Sequence, residues 1–364
     1  MTRNATLSII VAMVVIVIVL IIAIIFAAQS NIIKIVPYTK EFSIKASPPS
    51  SLRLIQTIAI PNVNGRIDHM TIDIRGQKLF VAELENNSID VVDLKAARRI
   101  SSISNGLGEP QGVIFIPETN RIFVSNSQDG SVDIFDTKSF KLIKKIKLPS
   151  EDADNTRFDS NNKLVYVGYG EGALGVINAT NYNIVSDIKL TGHPESFQIE
   201  EQKRAIGQQQ RIFVNVPASN SIEVVNSQKH TVSATWPISN AQNNFPMALD
   251  EANHRLFVGT RDPPKLVVFD TNSGKVISSL DVAKDPDDIF YDAAKKRIYV
   301  SSGEGFINIF QQQQKDANHY SMITDVPTAP GARTSLLVPE LNRFYLAVPH
   351  LGNQQSEILV YQVG

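Results

Sequence analysis

Four carboxylates are spaced along the chain in a way that can bring them to one point of a repeat protein. They are Asp68, Asp154, Glu195 and Asp287. Two histidines stand beside this set, His69 next to Asp68 and His193 two residues before Glu195. Carboxylate oxygens are the hard ligands that Ca²⁺ and Mg²⁺ prefer, so the set predicts a bound divalent cation. The alternative is structural, because carboxylates in loops also accept backbone N–H bonds.

A repeated strand pattern would position these residues. A basic residue followed by an apolar run, as in RIFVSN from Arg121, recurs at intervals of roughly 42 to 48 residues, the period of four-stranded propeller blades. An alternating run such as VDIFD, from Val132, follows each one. Alternation with β-branched and aromatic residues, broken by Gly, Asn and Pro, predicts an all-β fold. The seven basic residues are Lys78, Arg121, Lys163, Arg211, Arg255, Arg297 and Arg343.

The two ends of the repeat region predict how the ring closes. The seventh repeat ends in EILVYQV and has no outer strand after it, whereas SLRLIQTIAI, residues 51–60, precedes the first repeat and belongs to no blade. Pairing these two segments would complete the seventh sheet and remove an exposed edge. The sequence therefore predicts a seven-bladed β-propeller closed by its N-terminal strand.

The repeat unit resembles that of the YVTN-repeat (YncE-like) family of seven-bladed β-propellers. The resemblance covers residues 52–364, and Phe123-Val124-Ser125-Asn126 and Tyr299-Val300-Ser301-Ser302 are nearest to the tetrapeptide that names the family. It implies an exported or cell-surface binding module more often than an enzyme. It supplies no catalytic residues, because the repeat positions are structural.

Alignment of the repeats on their basic residues selects one position per blade. These positions are Asp68, Gln111, Asp154, Glu195, Pro246, Asp287 and Arg333. Each falls at the start of an innermost strand, so together they should surround one mouth of the central channel. We therefore predict a ligand site at the channel mouth formed by Asp68, Gln111, Asp154, Glu195, Asp287 and Arg333. The cation would be held there by Asp68, Asp154, Glu195 and Asp287.

Charge is distributed unevenly between the two faces of the predicted ring. We call the face that carries the loops entering each innermost strand the top face, and the opposite one the bottom face. Carboxylates predominate in the top loops, and Lys and Arg in the bottom loops. The net charge of -1 gives no overall attraction to polyanions, so no nucleic-acid partner is expected. An acidic top face favours a cationic ligand, a protein or a glycan as partner.

Several kinds of catalytic site are excluded or disfavoured. The chain has no cysteine, so disulfides, thiolate metal sites and a cysteine nucleophile are excluded. Neither HExxH nor GxSxG occurs. A GxGxxG match at residues 170–175 is followed by the strand LGVIN instead of the helix that a dinucleotide site needs, which indicates a hairpin turn.

The N-terminus predicts a membrane anchor. Residues 7–28, LSIIVAMVVIVIVLIIAIIFAA, contain no charge and are long enough to cross a bilayer, whereas a signal-peptide core is usually shorter. We predict an anchor at residues 1–28, a linker at 29–51 and the propeller at 52–364. Lys34, Lys40 and Lys45 follow the span, so the positive-inside rule does not favour export. The extracytoplasmic location that we expect rests on the family resemblance.

Together these observations predict a membrane-tethered, non-catalytic propeller that binds a protein, glycan or cationic ligand through its acidic top face. The alternative left open is a metal-dependent lactonase-like or lyase-like enzyme with its site at the channel mouth. An ion held by converging carboxylates with an open coordination position would distinguish the two.

Overall fold

The computed structural model describes residues 51–201, 209–313 and 316–364. Their strands form seven antiparallel four-stranded sheets, which confirms the prediction of an all-β, seven-bladed propeller. Among these residues, no helix has the length and apolar character needed to cross a membrane. The predicted anchor at 1–28 and residues 29–50 of the predicted linker lie outside the described part of the chain.

Each of the first six blades takes four consecutive strands, which we call a to d from the channel outward. Blades 1 to 3 contain β2 (Met70–Asp73), β3 (Lys78–Glu83), β4 (Ser88–Asp93), β5 (Arg98–Ile103), β6 (Pro110–Ile116), β7 (Arg121–Asn126), β8 (Ser131–Asp136), β9 (Leu142–Lys147), β10 (Ala153–Asp159), β11 (Leu164–Tyr169), β12 (Ala173–Asn178) and β13 (Ile184–Lys189). Blades 4 to 6 contain β14 (Phe197–Ile199), β15 (Arg211–Val216), β16 (Ser221–Asn226), β17 (Thr231–Pro237), β18 (Gln242–Asp250), β19 (Arg255–Asp262), β20 (Pro264–Asp270), β21 (Val276–Asp281), β22 (Pro286–Asp292), β23 (Arg297–Ser302), β24 (Phe306–Gln312) and β25 (Tyr320–Pro327). Short 3-10 turns lie at Leu84–Asn86, Pro217–Ser219 and Pro339–Leu341.

The seventh blade is built from both ends of the propeller. It contains β26 (Thr334–Val338), β27 (Arg343–Val348) and β28 (Glu357–Val363), and β1 (Leu52–Ala59) adds the outer strand. β1 runs antiparallel to β28, with Leu52 opposite Val363 and Ala59 opposite Glu357. The predicted closure by the N-terminal strand is thus confirmed. Leu52 lies at the bottom face, because strand c of every blade runs from the top face to the bottom face.

The hydrophobic core lies between the blades. Seven clusters of buried apolar side chains each combine residues from two neighbouring blades, as where Phe80 and Val91 of blade 1 pack with Val124 and Phe135 of blade 2. Successive side chains of a strand point to opposite faces of its sheet. Because adjacent blades cover both faces of strands b and c, the apolar side chains of these strands are removed from water on both sides. The ring is therefore stabilised at every blade interface.

The repeated basic residues connect neighbouring blades at the bottom face. Lys78 of blade 1 donates to the carbonyl oxygen of Thr137 in blade 2 at 3.2 Å, and Arg297 of blade 6 donates to the carbonyl oxygen of Gly364 in blade 7 at 2.7 Å. Arg211 donates likewise to Thr271 in the next blade. These contacts give the repeat cations a structural role.

Candidate functional site

A small polar cavity lies at the top mouth of the central channel. Its volume is about 30 Å³, close to the share of one water molecule in the liquid. Four of the six predicted site residues line it, namely Asp68, Asp154, Glu195 and Asp287. Arg66, His69, Asn155, Ser196, Phe245 and Asp288 complete the wall. The two remaining predicted residues, Gln111 and Arg333, are not part of this wall.

The geometry of the inner strands explains why consecutive residues reach the cavity. In blade 1, Asp68 donates its N–H to the carbonyl oxygen of Ala82, and Ala82 donates its N–H to the carbonyl oxygen of His69. Asp68 and His69 therefore both pair with the single residue Ala82 on the neighbouring strand. Glu195 and Ser196 stand in the same relation to Asn215 in blade 4. Such a bulge interrupts the in-and-out alternation of side chains. Register shifts occur at the corresponding ends of β6, β10, β18 and β22.

The first carboxylate–histidine cluster joins blades 1 and 3. His69 Nδ1 lies 3.0 Å from Asp68 Oδ2, and His69 Nε2 lies 3.0 Å from Asn155 Oδ1. Asn155 donates through Nδ2 to Asp154 Oδ1 at 3.3 Å, which orients its oxygen towards His69. Both ring nitrogens of His69 therefore face acceptors. Ligand atoms of Asp68, His69 and Asp154 all lie within 4.8 Å of one another.

The electrostatics of this cluster favour an imidazolium at His69. Burial alone would lower the pKa of His69, but the charge and hydrogen bond of Asp68 raise it to about 9. Burial would raise the pKa of Asp68, yet His69 and Arg66 together hold it below its usual range. At neutral pH the pair is thus a buried carboxylate bound to a protonated histidine.

The second cluster joins blade 3 to the loop that enters blade 4. It contains Asp154, His193 and Glu195, whose ligand atoms also lie within 4.8 Å of one another. His193 Nδ1 lies 2.7 Å from the carbonyl oxygen of Gly170, and His193 Nε2 lies 3.7 Å from Asp154 Oδ2. Burial opposes the charge of His193, but the nearby carboxylate of Asp154 and the hydrogen bond to Gly170 raise its pKa to about 9.

Glu195 is the least compensated carboxylate of the mouth. Its side chain has neither a hydrogen bond nor an ion pair with any residue that the structure describes. Burial, followed by the negative charge of Asp154, raises the pKa of Glu195 to about 8. Glu195 therefore carries a proton at neutral pH unless a cation replaces that proton.

Asp287 belongs to a separate ion-pair network. Arg261 NH2 binds Asp287 Oδ1, and Arg333 Nε lies 3.0 Å from Asp287 Oδ2. The same two arginines bind Asp285, at 3.0 Å from Arg261 Nε and 2.5 Å from Arg333 NH1. The guanidinium of Arg261 also stacks on Phe245, 3.8 Å from the ring centroid. Asp287 is thus neutralised by arginines and joins neither carboxylate–histidine cluster.

The remaining predicted residue, Gln111, is buried at the start of β6 and does not reach the cavity. Asp288, by contrast, was not singled out from the sequence although it follows Asp287 directly. It lines the cavity, and burial raises its pKa to about 7 against the opposing charge of His69. Adjacency to a predicted residue was the only sequence signal for Asp288 and for Asn155.

The possible metal ligands in the structure differ from the four carboxylates predicted from the sequence. Instead of four carboxylates there are two overlapping sets of carboxylate and imidazole groups that share Asp154. Mixed oxygen and nitrogen ligands suit Zn²⁺ or Mn²⁺ better than Ca²⁺. For His69 or His193 to ligate a metal, that histidine must first lose a proton. The assignment of any metal to these residues stays a prediction.

Comparison with known proteins identifies the fold alone. A chain of hydrazine synthase from Kuenenia stuttgartiensis superimposes with a TM-score of 0.70, covering 86% of this chain and 100% of that chain, at 18% sequence identity. No family model and no curated protein matches the sequence. A structural likeness at this identity establishes a propeller and carries no activity with it.

Proposed function

We propose that this protein is a non-catalytic binding propeller that takes a cation at the top mouth of its central channel. The observation that carries the proposal is the carboxyl group of Glu195, which lies near Asp154 and has no hydrogen-bond or ion-pair partner among the described residues, so that only the charge of His193 opposes its high pKa. A half-buried carboxyl without such a partner is unfavourable when ionised beside another carboxylate, and a bound cation reduces that penalty.

The size of the mouth cavity limits what it can hold. About 30 Å³ accommodates one ion or one ammonium group, but not a whole organic molecule. The occupant is therefore a metal ion or the terminal ammonium of a larger ligand, such as a lysine side chain of a partner protein on the top face. Binding at pH 7 should release a proton, because burial raises the pKa of Glu195 to about 8 and a cation would take the place of that proton.

The state of the two histidines supports binding without catalysis. Both ring nitrogens of His69 and of His193 face acceptors, and no described hydroxyl group bonds to either ring. A histidine that activates a nucleophile needs such a contact. A metal-dependent lactonase-like or lyase-like enzyme is the second candidate, favoured by the two ligand sets that share Asp154.

Calorimetric titration of the full chain tests the proposal. Ca²⁺, Mg²⁺, Mn²⁺, Zn²⁺ and methylammonium are titrated at pH 7 in two buffers of different ionisation enthalpy. We expect at least one of these cations to bind with proton release, and Glu195→Gln to weaken binding ten-fold or more. Glu151→Gln is the matched control, because Glu151 is an exposed top-face carboxylate. If no cation binds, or if Glu195→Gln binds like the wild type, the proposal is wrong.

We further propose that the propeller is tethered to a membrane by residues 1–28, lies outside the cytoplasm and belongs to the YVTN-repeat (YncE-like) family. The uncharged run at 7–28 and the repeat residues support this. The start of β1 at the bottom face would leave the top face free for partners. If the full chain is extracted from membranes by alkaline carbonate, the tether is wrong.

A further inference from the structure

A second, larger cavity occupies the central channel below the mouth. Its volume is about 350 Å³, within the range of pockets that bind small molecules. The inner strands of all seven blades contribute to its wall. His69, Ser196 and Asp288 line both cavities, so the channel meets the mouth at its upper end.

The wall of the channel combines apolar residues with polar ones, which include a single arginine. Thr71, Gln198 and Ser335 are among the polar residues. Val113, Met247, Ile289 and Leu336 supply apolar side chains. Arg157, on β10, is the one lysine or arginine among the residues that line this cavity. A cavity of this size can hold a small organic ligand, and its polar groups would determine how that ligand is oriented.

The guanidinium of Arg157 has neutral hydrogen-bond partners only, among the residues that the structure describes. NH1 donates to the carbonyl oxygen of Thr156 at 3.0 Å, and NH2 donates to Ser196 Oγ at 3.3 Å. The Phe197 ring centroid lies 5.6 Å from the guanidinium carbon. No carboxylate of the described residues is within ion-pair distance, and Nε has no acceptor among them.

The carboxylates nearest to Arg157 are directed elsewhere. Asp288 Oδ2 accepts the backbone N–H of Ser335 at 2.6 Å. Asp154 accepts from Asn155 and faces His193. Burial lowers the pKa of Arg157 in spite of the opposing charges of Asp288 and Asp154. A half-buried guanidinium without an ion-pair partner loses part of its hydration, so a ligand that supplies a negative charge would stabilise this arrangement.

We propose that Arg157 binds the carboxylate of a small aliphatic acid whose hydrocarbon chain lies in the channel. A planar guanidinium can hold both oxygens of a carboxylate, and Arg157 lines the cavity with donors that its two hydrogen bonds leave unused. The apolar residues of the wall can contact a hydrocarbon chain, which an inorganic anion such as phosphate lacks. Arg157 is not among the groups of the proposed cation site, although His69, Ser196 and Asp288 line both cavities.

Binding of radiolabelled acids to the full chain, measured by equilibrium dialysis, tests this proposal. The probes are straight-chain monocarboxylates of two to eight carbons, the amide of each, and inorganic phosphate. We expect one or more of the longer acids to bind at least ten-fold more tightly than its amide and than phosphate. Arg157→Gln should lower that affinity at least ten-fold.

Two further variants separate a binding role from a structural one. Arg157→Lys keeps the charge but cannot hold both oxygens, so it should bind with intermediate affinity even if Arg157→Gln does not fold. Arg98→Gln, at an exposed arginine of β5, should leave affinity unchanged. The proposal is overturned if no acid binds, if acid and amide bind equally, if phosphate binds as tightly, or if Arg157→Lys matches the wild type.

Discussion

At the scale of single residues, the channel mouth shows that repeat-related carboxylates acquire different electrostatic roles. Asp68 is neutralised by Arg66 and His69, and Asp287 by two arginines. Glu195, at the related position of blade 4, has no such partner and keeps a proton instead. The neighbouring residues therefore decide which carboxylate is available to a ligand, and the repeat position alone does not.

A second buried acid allows the electrostatics to be tested away from the mouth. Glu83 is fully buried at the end of β3, and neither of its carboxyl oxygens has a hydrogen-bond partner. Burial and the charge of Asp90 raise the pKa of Glu83 to about 9. The folded state thus binds a proton that the unfolded state loses near pH 4.5, and stability should fall as the pH rises from about 4.5 towards 9.

Glu83→Gln should remove this part of the pH dependence. Gln carries no charge at either pH, so we expect the melting temperature of the variant to fall less than that of the wild type between pH 6 and 9. Glu85→Gln, two residues along the chain and exposed, is the control and should follow the wild type. Parallel curves for Glu83→Gln and the wild type would show that Glu83 is already ionised in the folded protein.

The residue-scale site was predictable in part. Placement of Asp68, Asp154, Glu195 and Asp287 at one mouth followed from the spacing of the repeats. Contributions of Asn155, Ser196 and Asp288 did not, because alternation places adjacent residues on opposite sides of a strand, and the bulges that break this rule have no sequence signature here. The arginine partners of Asp287 belong to other blades and lie far from it along the chain, so no local sequence pattern indicates these ion pairs.

At the scale of the strand, β1 holds the two ends of the propeller together. Ile58 of β1 is 1% exposed and packs in the cluster between blades 7 and 1, whereas Ile55 on the same strand is 37% exposed. Removal of a buried isoleucine side chain to alanine typically costs about 2–5 kcal/mol, and an exposed one far less. Substitution of Ile58 should therefore destabilise the protein, whereas substitution of Ile55 on the same strand should have little effect on stability.

Chemical denaturation of the full chain checks this expectation. Ile58→Ala should reduce the free energy of unfolding by about 2–5 kcal/mol. Ile55→Ala should change it by less than about 0.5 kcal/mol. Equal effects of the two substitutions would mean that β1 contributes little packing to the closure.

Strand order was predictable because each blade repeats the same alternation of apolar and polar residues. The seventh repeat lacks an outer strand, and residues 51–60 were the one strand-like segment that belonged to no blade. The role of the repeat cations was harder to predict. Lys78, Arg211 and Arg297 each donate to a backbone carbonyl oxygen in the next blade, and a carbonyl acceptor has no residue type by which a sequence reveals it.

At the scale of the whole molecule, the ring separates its two faces by function. The bottom face uses many of its cations in contacts within and between blades, such as Arg121 with Asp136 at 2.5 Å and Arg255 with Asp270 at 2.9 Å. The top face contains the mouth, where Glu195 keeps a proton and has no hydrogen-bond or ion-pair partner among the described residues. The account therefore places ligand binding at the mouth and in the channel below it, and structural contacts at the bottom.

Anomalous diffraction from crystals of the protein grown with Mn²⁺ or Zn²⁺ tests the cation site most directly. The account predicts an anomalous peak at the top mouth, about 2.0–2.2 Å from a carboxylate oxygen of Glu195 and within coordination distance of Asp154. Crystals of Glu195→Gln grown in the same way should lack it. A fully occupied ion bound elsewhere with the mouth empty, or a mouth peak that persists in Glu195→Gln, would contradict the account.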